Sequence, residues 1–310
     1  MCYSAQVHAE FKKFVRATGS GMDLDSYIRV YWWGQGKDPG GRRPKVPRGV
    51  ERDILEHGPP ELADLIRRWD AWETEQLTRE IFAQRRRVAD AERALQARDT
   101  KKAREDVRIG GNKLAAAQRR LDSLKGRPGD QDWRIYPGTY APVIVADGGQ
   151  RVARLMRYQC RPQGQPALYD RKFPGTYNAR RDNLERFWQG QFGHTHGLLV
   201  ADVFFENVEG PDGNNRVLAF TPRTGEPMLI ACLWSHWTDP QGREPELYSF
   251  AAITDEPEPE VAAAGHDRTV INLRPAHVDA WLDPAGSNPA ALHAIFDDRQ
   301  HPYYEYREAA

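Results

Sequence analysis

The sequence predicts an α+β protein: a mostly antiparallel, β-rich body with flanking helices, interrupted by an inserted long helical hairpin. Three observations carry this. From Glu61 to Lys125, apolar residues such as Leu62, Leu65, Ile66, Trp69, Trp72, Leu77, Ile81, Val88, Leu95, Leu114 and Leu121 recur at threes, fours and sevens amid charge, the spacing of an amphipathic helix. Beyond Asp132 the pattern changes to short apolar or alternating runs separated by turns, and such tight spacing favours antiparallel pairing. There is no GxGxxG, GxxxxGK[ST] or βαβ alternation, which excludes the common nucleotide-binding α/β folds. The body is expected to comprise residues 1–49 and 130–310, and the coiled-coil-like hairpin residues 50–129.

Composition bounds the function. The chain has 310 residues, 40% of them hydrophobic, with nine tryptophans, enough to bury a full core. Its 44 basic and 44 acidic residues cancel, so attraction to nucleic acid must come from local patches. Three scattered cysteines, Cys2, Cys160 and Cys232, do not make a disulfide framework and fit a reducing compartment. No apolar run is long enough for a secretion signal or a membrane span, so a cytoplasmic location is expected.

In chain order, Asp23 to Trp33 opens with helix-cap chemistry and continues into packed aromatics. Gly34 to Gly49 reads as a basic glycine and proline loop with Lys37, Arg42, Arg43, Lys45 and Arg48. Within the hairpin, Gly110-Gly111 is expected to interrupt the helical pattern, and Gly126-Arg127-Pro128-Gly129 to end it. Basic residues outnumber acids between Arg85 and Lys125, a solvated coiled-coil face that is also a candidate contact for DNA or a protein partner. Strands are expected at Arg151–Tyr158, Gly197–Phe205, Arg216–Thr221, Pro227–Trp234, Glu246–Thr254 and Val270–Leu273. Helices are expected at Asp182–Gln189 and Pro275–Leu282, and the acidic run Asp255–Glu260 as a surface turn.

The chemistry begins at Cys2. Once the initiator methionine leaves, its α-amine and thiol sit on adjacent carbons, titrating at about 8 and about 8.5. Such a pair condenses with an aldehyde: the amine forms a Schiff base, and the sulfur adds to the same carbon to close a thiazolidine. Three stretches could build a pocket around it. Asn178, Arg180 and Arg181 lie in a turn-rich segment, where an asparagine can orient an amine or cap a helix and an arginine can clamp phosphate. Glu206 ends an apolar run, where burial would suit a carboxylate to proton transfer and a surface position is the alternative. Gly265-His266-Asp267-Arg268 offers an imidazole and a further arginine. Cys160, His194, His196 and Cys232 include metal-ligand types, but without a C-x-x-C no metal site is expected.

These elements, in this order, resemble the SOS response-associated peptidase (SRAP) family. Its carriers are Met1-Cys2, Tyr140-Ala141-Pro142, Leu155-Met156-Arg157-Tyr158, Tyr177-Asn178-Ala179-Arg180, Val200 through Glu206, His266-Asp267-Arg268 and Asp279-Ala280-Trp281-Leu282. The resemblance implies an SRAP-like body that binds single-stranded DNA and joins Cys2 covalently to abasic sites in the DNA damage response. It also implies peptidase and lyase-like activity, including self-removal of Met1, and no cofactor. In catalysis it casts Cys2 as nucleophile and Asn178 as the group positioning its amine. Glu206 would move protons at the opening sugar, and His266 would assist Schiff-base formation and reversal. Arg180, Arg268, Pro142, Tyr158 and Arg157 become candidate DNA contacts. The expected protein is a monomer whose partner is abasic single-stranded DNA, with no membrane association and with the nucleoid as its location when bound. An N-terminal-nucleophile thiol peptidase or amidase without a DNA role is the alternative. The chain departs from the family pattern at Tyr3-Ser4 (usually Gly-Arg), Tyr158-Gln159 (Trp-Gly), Val203 (Gly) and Thr269-Val270 (Met-Pro), and by its hairpin.

Overall fold

The computed structural model describes residues 4–7, 19–32, 43–126, 130–210 and 212–309. In chain order the elements are strands β1 (Ser4–Val7) and β2 (Gly21–Met22), then helices α1 (Leu24–Tyr31), α2 (Arg48–His57), α3 (Pro60–Ala97) and α4 (Lys101–Leu124). Next come β3 (Arg134–Ile135), β4 (Tyr140–Asp147), β5 (Gln150–Tyr158), α5 (Tyr169–Lys172), β6 (Asn178–Arg180), β7 (His196–Glu209), β8 (Asn215–Pro222), β9 (Met228–Trp237) and β10 (Leu247–Asp255). The chain ends with α6 (Pro259–Ala263), β11 (Thr269–Val270), α7 (Val278–Leu282), α8 (Pro289–Asp297) and β12 (Tyr304–Glu308). It divides into two compact units, residues 1–30, 44–53 and 133–310 in one and residues 31–43 and 54–132 in the other.

The first unit is an α+β body around a barrel-like sheet. β4 pairs with β5, β5 runs parallel to β10, β10 pairs with β9 and β9 with β7, and Ile144 opposite Leu198 returns β7 to β4. Alternation along these strands feeds two cores, because successive side chains leave opposite faces. Val143, Met156, Tyr158, Leu199, Ala201, Cys232, Phe250 and Ala252 enter one. Ile144, Ala153, Leu198, Val200, Ala231, Leu233, Ala251 and Ile253 enter the other, which Trp188, Trp281, Leu292 and Phe296 cover. Trp281 Nε1 donates to the Gly197 carbonyl at 2.9 Å, holding α7 to the sheet.

β7 changes partners along its length: its first half pairs with β9, and its second half with β1 and β8. Gln6 lies opposite Val203 and Val7 opposite Ala201, so Asp202 is an extra residue, a β-bulge. The bulge shifts the alternation by one. Before it Leu199 and Ala201 face the first core, and after it Phe204 and Val208 do, with Glu206 between them.

The second unit contains the antiparallel pair α3 and α4. Ile81 packs with Ala117 and Leu121, with Leu77 and Leu114 against them. Arg120 and Arg43 both bond Glu73, at 2.6 and 2.9 Å. The expected interruption at Gly110-Gly111 is corrected: α4 runs through both glycines, and the break lies at Arg98–Thr100. The Thr100 side chain accepts from Ala103 N at 3.2 Å and so starts the second helix. Gly110 serves close packing instead, since a Cβ there would meet Val88 Cγ2 at 2.8 Å.

Other expectations also shift. Asp182–Gln189 forms only a 3₁₀ turn at Arg181–Asn183 followed by turns, the segment burying Leu184 and Trp188 in the second core. The run from Asp255 to Glu260 is no free surface turn: Asp255 binds Arg181 at 3.0 Å and Arg299 at 2.6 Å, and Glu258 binds Arg299 at 2.8 Å. The described end of the basic loop is likewise fixed, with Arg48 buried against Glu51 at 3.0 Å. Gly49 is required there, because a Cβ would lie 2.2 Å from the Trp133 ring.

Candidate functional site

Glu206 owes its burial to the β7 bulge. It sits opposite Leu218 on the face of the first core and is 0% exposed, a position a carboxylate occupies only with compensating partners. One is His266, whose Nε2 lies 3.2 Å from Glu206 Oε2. A glycine makes that approach possible. Helix α6 ends at Ala263 and is capped by Ala264, Gly265 adopts φ +92°, and the chain turns back so that His266 N donates to the Val261 carbonyl at 3.2 Å.

The other imidazole nitrogen defines the tautomer. Nδ1 lies 2.9 Å from the Arg268 carbonyl oxygen and 3.3 Å from the Arg268 amide. The shorter contact is to a group that only accepts, so Nδ1 carries a hydrogen. Burial lowers the His266 pKa below the ordinary histidine value, against the opposing pull of the Arg268 carbonyl. In the neutral ring Nε2 is then an acceptor facing Glu206 Oε2.

Asn178 faces the same core. It lies opposite Ala252 where β6 runs parallel to β10. Tyr158 OH is 3.3 Å from Asn178 Oδ1; the oxygen can only accept, so the phenol donates and the amide NH2 is turned away from it. Stacking on Phe250 at 5.1 Å and an edge contact with Tyr177 at 5.7 Å hold the Tyr158 ring.

Arg180 and Arg268 line one small cleft of about 30 Å³, with Thr254, Asp182 and Asp255. Arg180 is exposed and bonds Asp182 at 2.9 Å. The Thr254 hydroxyl is buried without a hydrogen-bond partner among the described residues. Sequence reasoning missed it, since a threonine inside an apolar strand carries no signal. Arg181 instead braces the body through Asp255 and Asp297.

Three of the expected DNA contacts lie in or against the core. Tyr158 is 1% exposed, so it offers no open face to a base and supports Asn178 instead. Pro142 is buried in β4 opposite Leu155. Arg157 is bound to Asp170 at 2.8 Å and to the Gln159 carbonyl at 3.1 Å. Cys2 lies outside the described residues; the strand that follows it starts at Ser4, opposite Phe205, the neighbour of Glu206.

Three of the residues weighed as metal ligands, His196, Cys160 and Cys232, are buried. His196 Nε2 accepts from Gly193 N at 2.8 Å, and Nδ1 lies 2.8 Å from the Trp281 carbonyl. Burial lowers its pKa to about 4. Burial pushes the Cys160 thiol up to about 12 and raises that of Cys232 as well, so both are unreactive thiols.

Fold and site together define an α+β protein with a barrel-like sheet and a carboxylate–imidazole pair set into its core. The family model described as SOS response associated peptidase (SRAP) matches residues 93–308, and the chain belongs to that family. Membership ties it to the DNA damage response and to a peptidase-like function. The chain is similar to three solved structures. One is a protein from Bordetella bronchiseptica, at 18% identity and TM-score 0.47, covering 57% of this chain and 87% of that one. Another is a protein from Bacteroides thetaiotaomicron, at 14% and 0.49, covering 62% and 88%. The third is a phage-related protein from Bordetella bronchiseptica, at 20% and 0.43, covering 59% and 84%. No curated protein matches. No described helix is long and apolar enough to cross a membrane.

Proposed function

We propose that the protein captures the ring-opened aldehyde of an abasic site in single-stranded DNA, through Cys2 freed of Met1. The observation that carries this reading is the buried Glu206–His266 pair at 3.2 Å, beside the strand that leads back to Cys2. Only Tyr3 separates Cys2 from Ser4 in the sequence, and two residue steps reach at most about 7 Å.

The amine of Cys2 attacks C1′ of the aldehyde, forming a carbinolamine; loss of water gives the imine, and the thiol then adds to the imine carbon. The C–S bond closes the ring as the nitrogen takes up a proton. Three of these events move protons. Glu206 serves the sugar as its ring opens, and His266 the carbinolamine. Asn178, oriented by Tyr158, positions the amine. Arg180 and Arg268 hold the phosphates flanking the lesion, where Thr254 adds a hydroxyl. A buried pair suits this work, because a proton held in a dry site is handed to the reacting atoms and not to solvent.

The protein freed of Met1, mixed with a single-stranded oligonucleotide bearing one abasic site, should yield a heat-stable adduct that Cys2→Ala abolishes. Glu206→Ala and His266→Ala should slow formation or reversal by about 10²-fold or more. The family description favours a second reading, in which Cys2 attacks an amide and the same pair supplies the base. Cleavage of peptides in trans without reactivity toward abasic DNA would select it.

A further inference from the structure

The segments flanking Asn178 expose apolar groups that neither core uses. Phe173 is 37% and Phe187 42% exposed, and their rings meet edge-on with centroids 6.5 Å apart. Each is anchored from behind: Phe173 packs on Tyr169 at 4.6 Å, and Phe187 on Trp188 at 5.1 Å. The exposed faces are therefore held in place.

Cations adjoin them in the sequence. Arg171, Lys172 and Arg186 are exposed, and Lys172 Nζ lies 5.4 Å from the centre of the Phe173 ring. None of the three forms an ion pair among the described residues, whereas the nearby acids are already engaged. Asp170 binds Arg157 and Arg161, Asp182 binds Arg180, and Glu185 binds His293. Fixed aromatic faces among unneutralised cations suit a polyanion that carries flat rings. An acidic peptide would use the charges and leave the rings idle; a duplex would present phosphates but keep its bases stacked. Unpaired nucleic acid uses both.

We propose that Phe173 and Phe187, with Arg171, Lys172 and Arg186, form a platform for single-stranded DNA running on from the Arg180 and Arg268 cleft. Unpaired bases stack on the two rings and their phosphates meet the three cations. The identity of the polymer rests on the proposed function; the platform itself rests on the exposed rings and unpaired charges.

Full-length wild type, Phe173→Ala/Phe187→Ala and Arg171→Ala/Lys172→Ala are titrated with an undamaged single-stranded oligonucleotide, the matching duplex and an acidic peptide. Loss of the two rings should weaken single-strand binding about tenfold or more and leave duplex binding unchanged. Loss of the two cations should weaken both and reduce the logarithmic salt slope for the single strand by about 1.4. Unchanged single-strand affinity in the aromatic variant, with native circular dichroism, would overturn the platform, as would tighter binding of the peptide than of the DNA. Wild type is assayed in parallel for adduct formation. Ring-dependent binding without an adduct would refute the crosslinking reading and leave the platform standing; an adduct with ring-independent binding would do the reverse.

Discussion

Tyr158 shows how a buried side chain can serve the site without touching the reacting atoms. Its hydroxyl fixes the orientation of the Asn178 amide, and Tyr158→Phe removes that hydrogen bond while keeping the packing against Phe250. One neutral hydrogen bond amounts to about 1 kcal/mol, so adduct formation should slow about fivefold at saturating DNA, with the melting temperature nearly unchanged. Rate constants for wild type and Tyr158→Phe check this. The next residue, Gln159, stands where the family pattern has glycine, and its φ of +116° is costly for any side chain. Its amide donates to the Asp170 carbonyl at 3.0 Å and its backbone N–H to the Phe250 carbonyl at 3.0 Å, which holds the strained turn in place. His266 predicts a pH dependence. Because burial lowers its pKa, the neutral ring persists below the ordinary histidine value and is lost only on further acidification. The wild-type rate relative to His266→Ala should therefore stay level through about pH 6.5, the ordinary histidine value, and fall only on acidification beyond it; a ratio that falls as pH rises would contradict this role.

At the scale of elements, the β7 bulge decides which residue is the buried acid. Plain alternation continued from Leu199 and Ala201 would turn Phe205 to the core and Glu206 away from it; the extra residue Asp202 reverses that. The apolar run into Glu206 is readable in the sequence, but the bulge is not, because nothing local to Ala201-Asp202-Val203 specifies two residues against one. A second element-level device is Asp255 at the end of β10, which takes Arg181 from the turn after β6 and Arg299 from after α8. Burial alone would raise its pKa, yet hydrogen bonds and charge from the two arginines hold it below the ordinary aspartate value. Asp255→Ala leaves Arg181 only Asp297 and Arg299 only Glu258 as carboxylate partners and should cost about 1–2 kcal/mol, read as a lower urea midpoint. Since the folded pKa is depressed, Asp255 stabilises the fold above the ordinary aspartate pKa, and that contribution is lost as pH falls through the lower, folded value. Helices α2 and α8 and strands β4 and β12 escaped sequence reading. β4 lacks polar alternation, since Ala141 through Val145 are all buried; α2 follows a loop that looked uniformly basic until Arg48 found Glu51.

For the whole molecule, the α+β class and most strands of the body were legible, because a sheet buried on both faces reads as repeated apolar runs between turns. What no pattern revealed was burial: Tyr158 and Pro142 lie in the core, and Arg157 is braced by Asp170. The same burial limits acid stability. His196, held neutral between Gly193 and Trp281 with its pKa lowered to about 4, binds a proton more readily unfolded. Stability should therefore fall as pH drops from about 6.5 to about 4, by an amount on the order of 3 kcal/mol; urea midpoints across that range test it. The central claim is tested most directly by intact mass and peptide mapping after incubation with an abasic single-stranded oligonucleotide. The account predicts a species equal to protein without Met1 plus oligonucleotide minus one water, its linkage mapped to Cys2. No adduct from the Met1-free protein, or an undiminished adduct from Cys2→Ala, would contradict it.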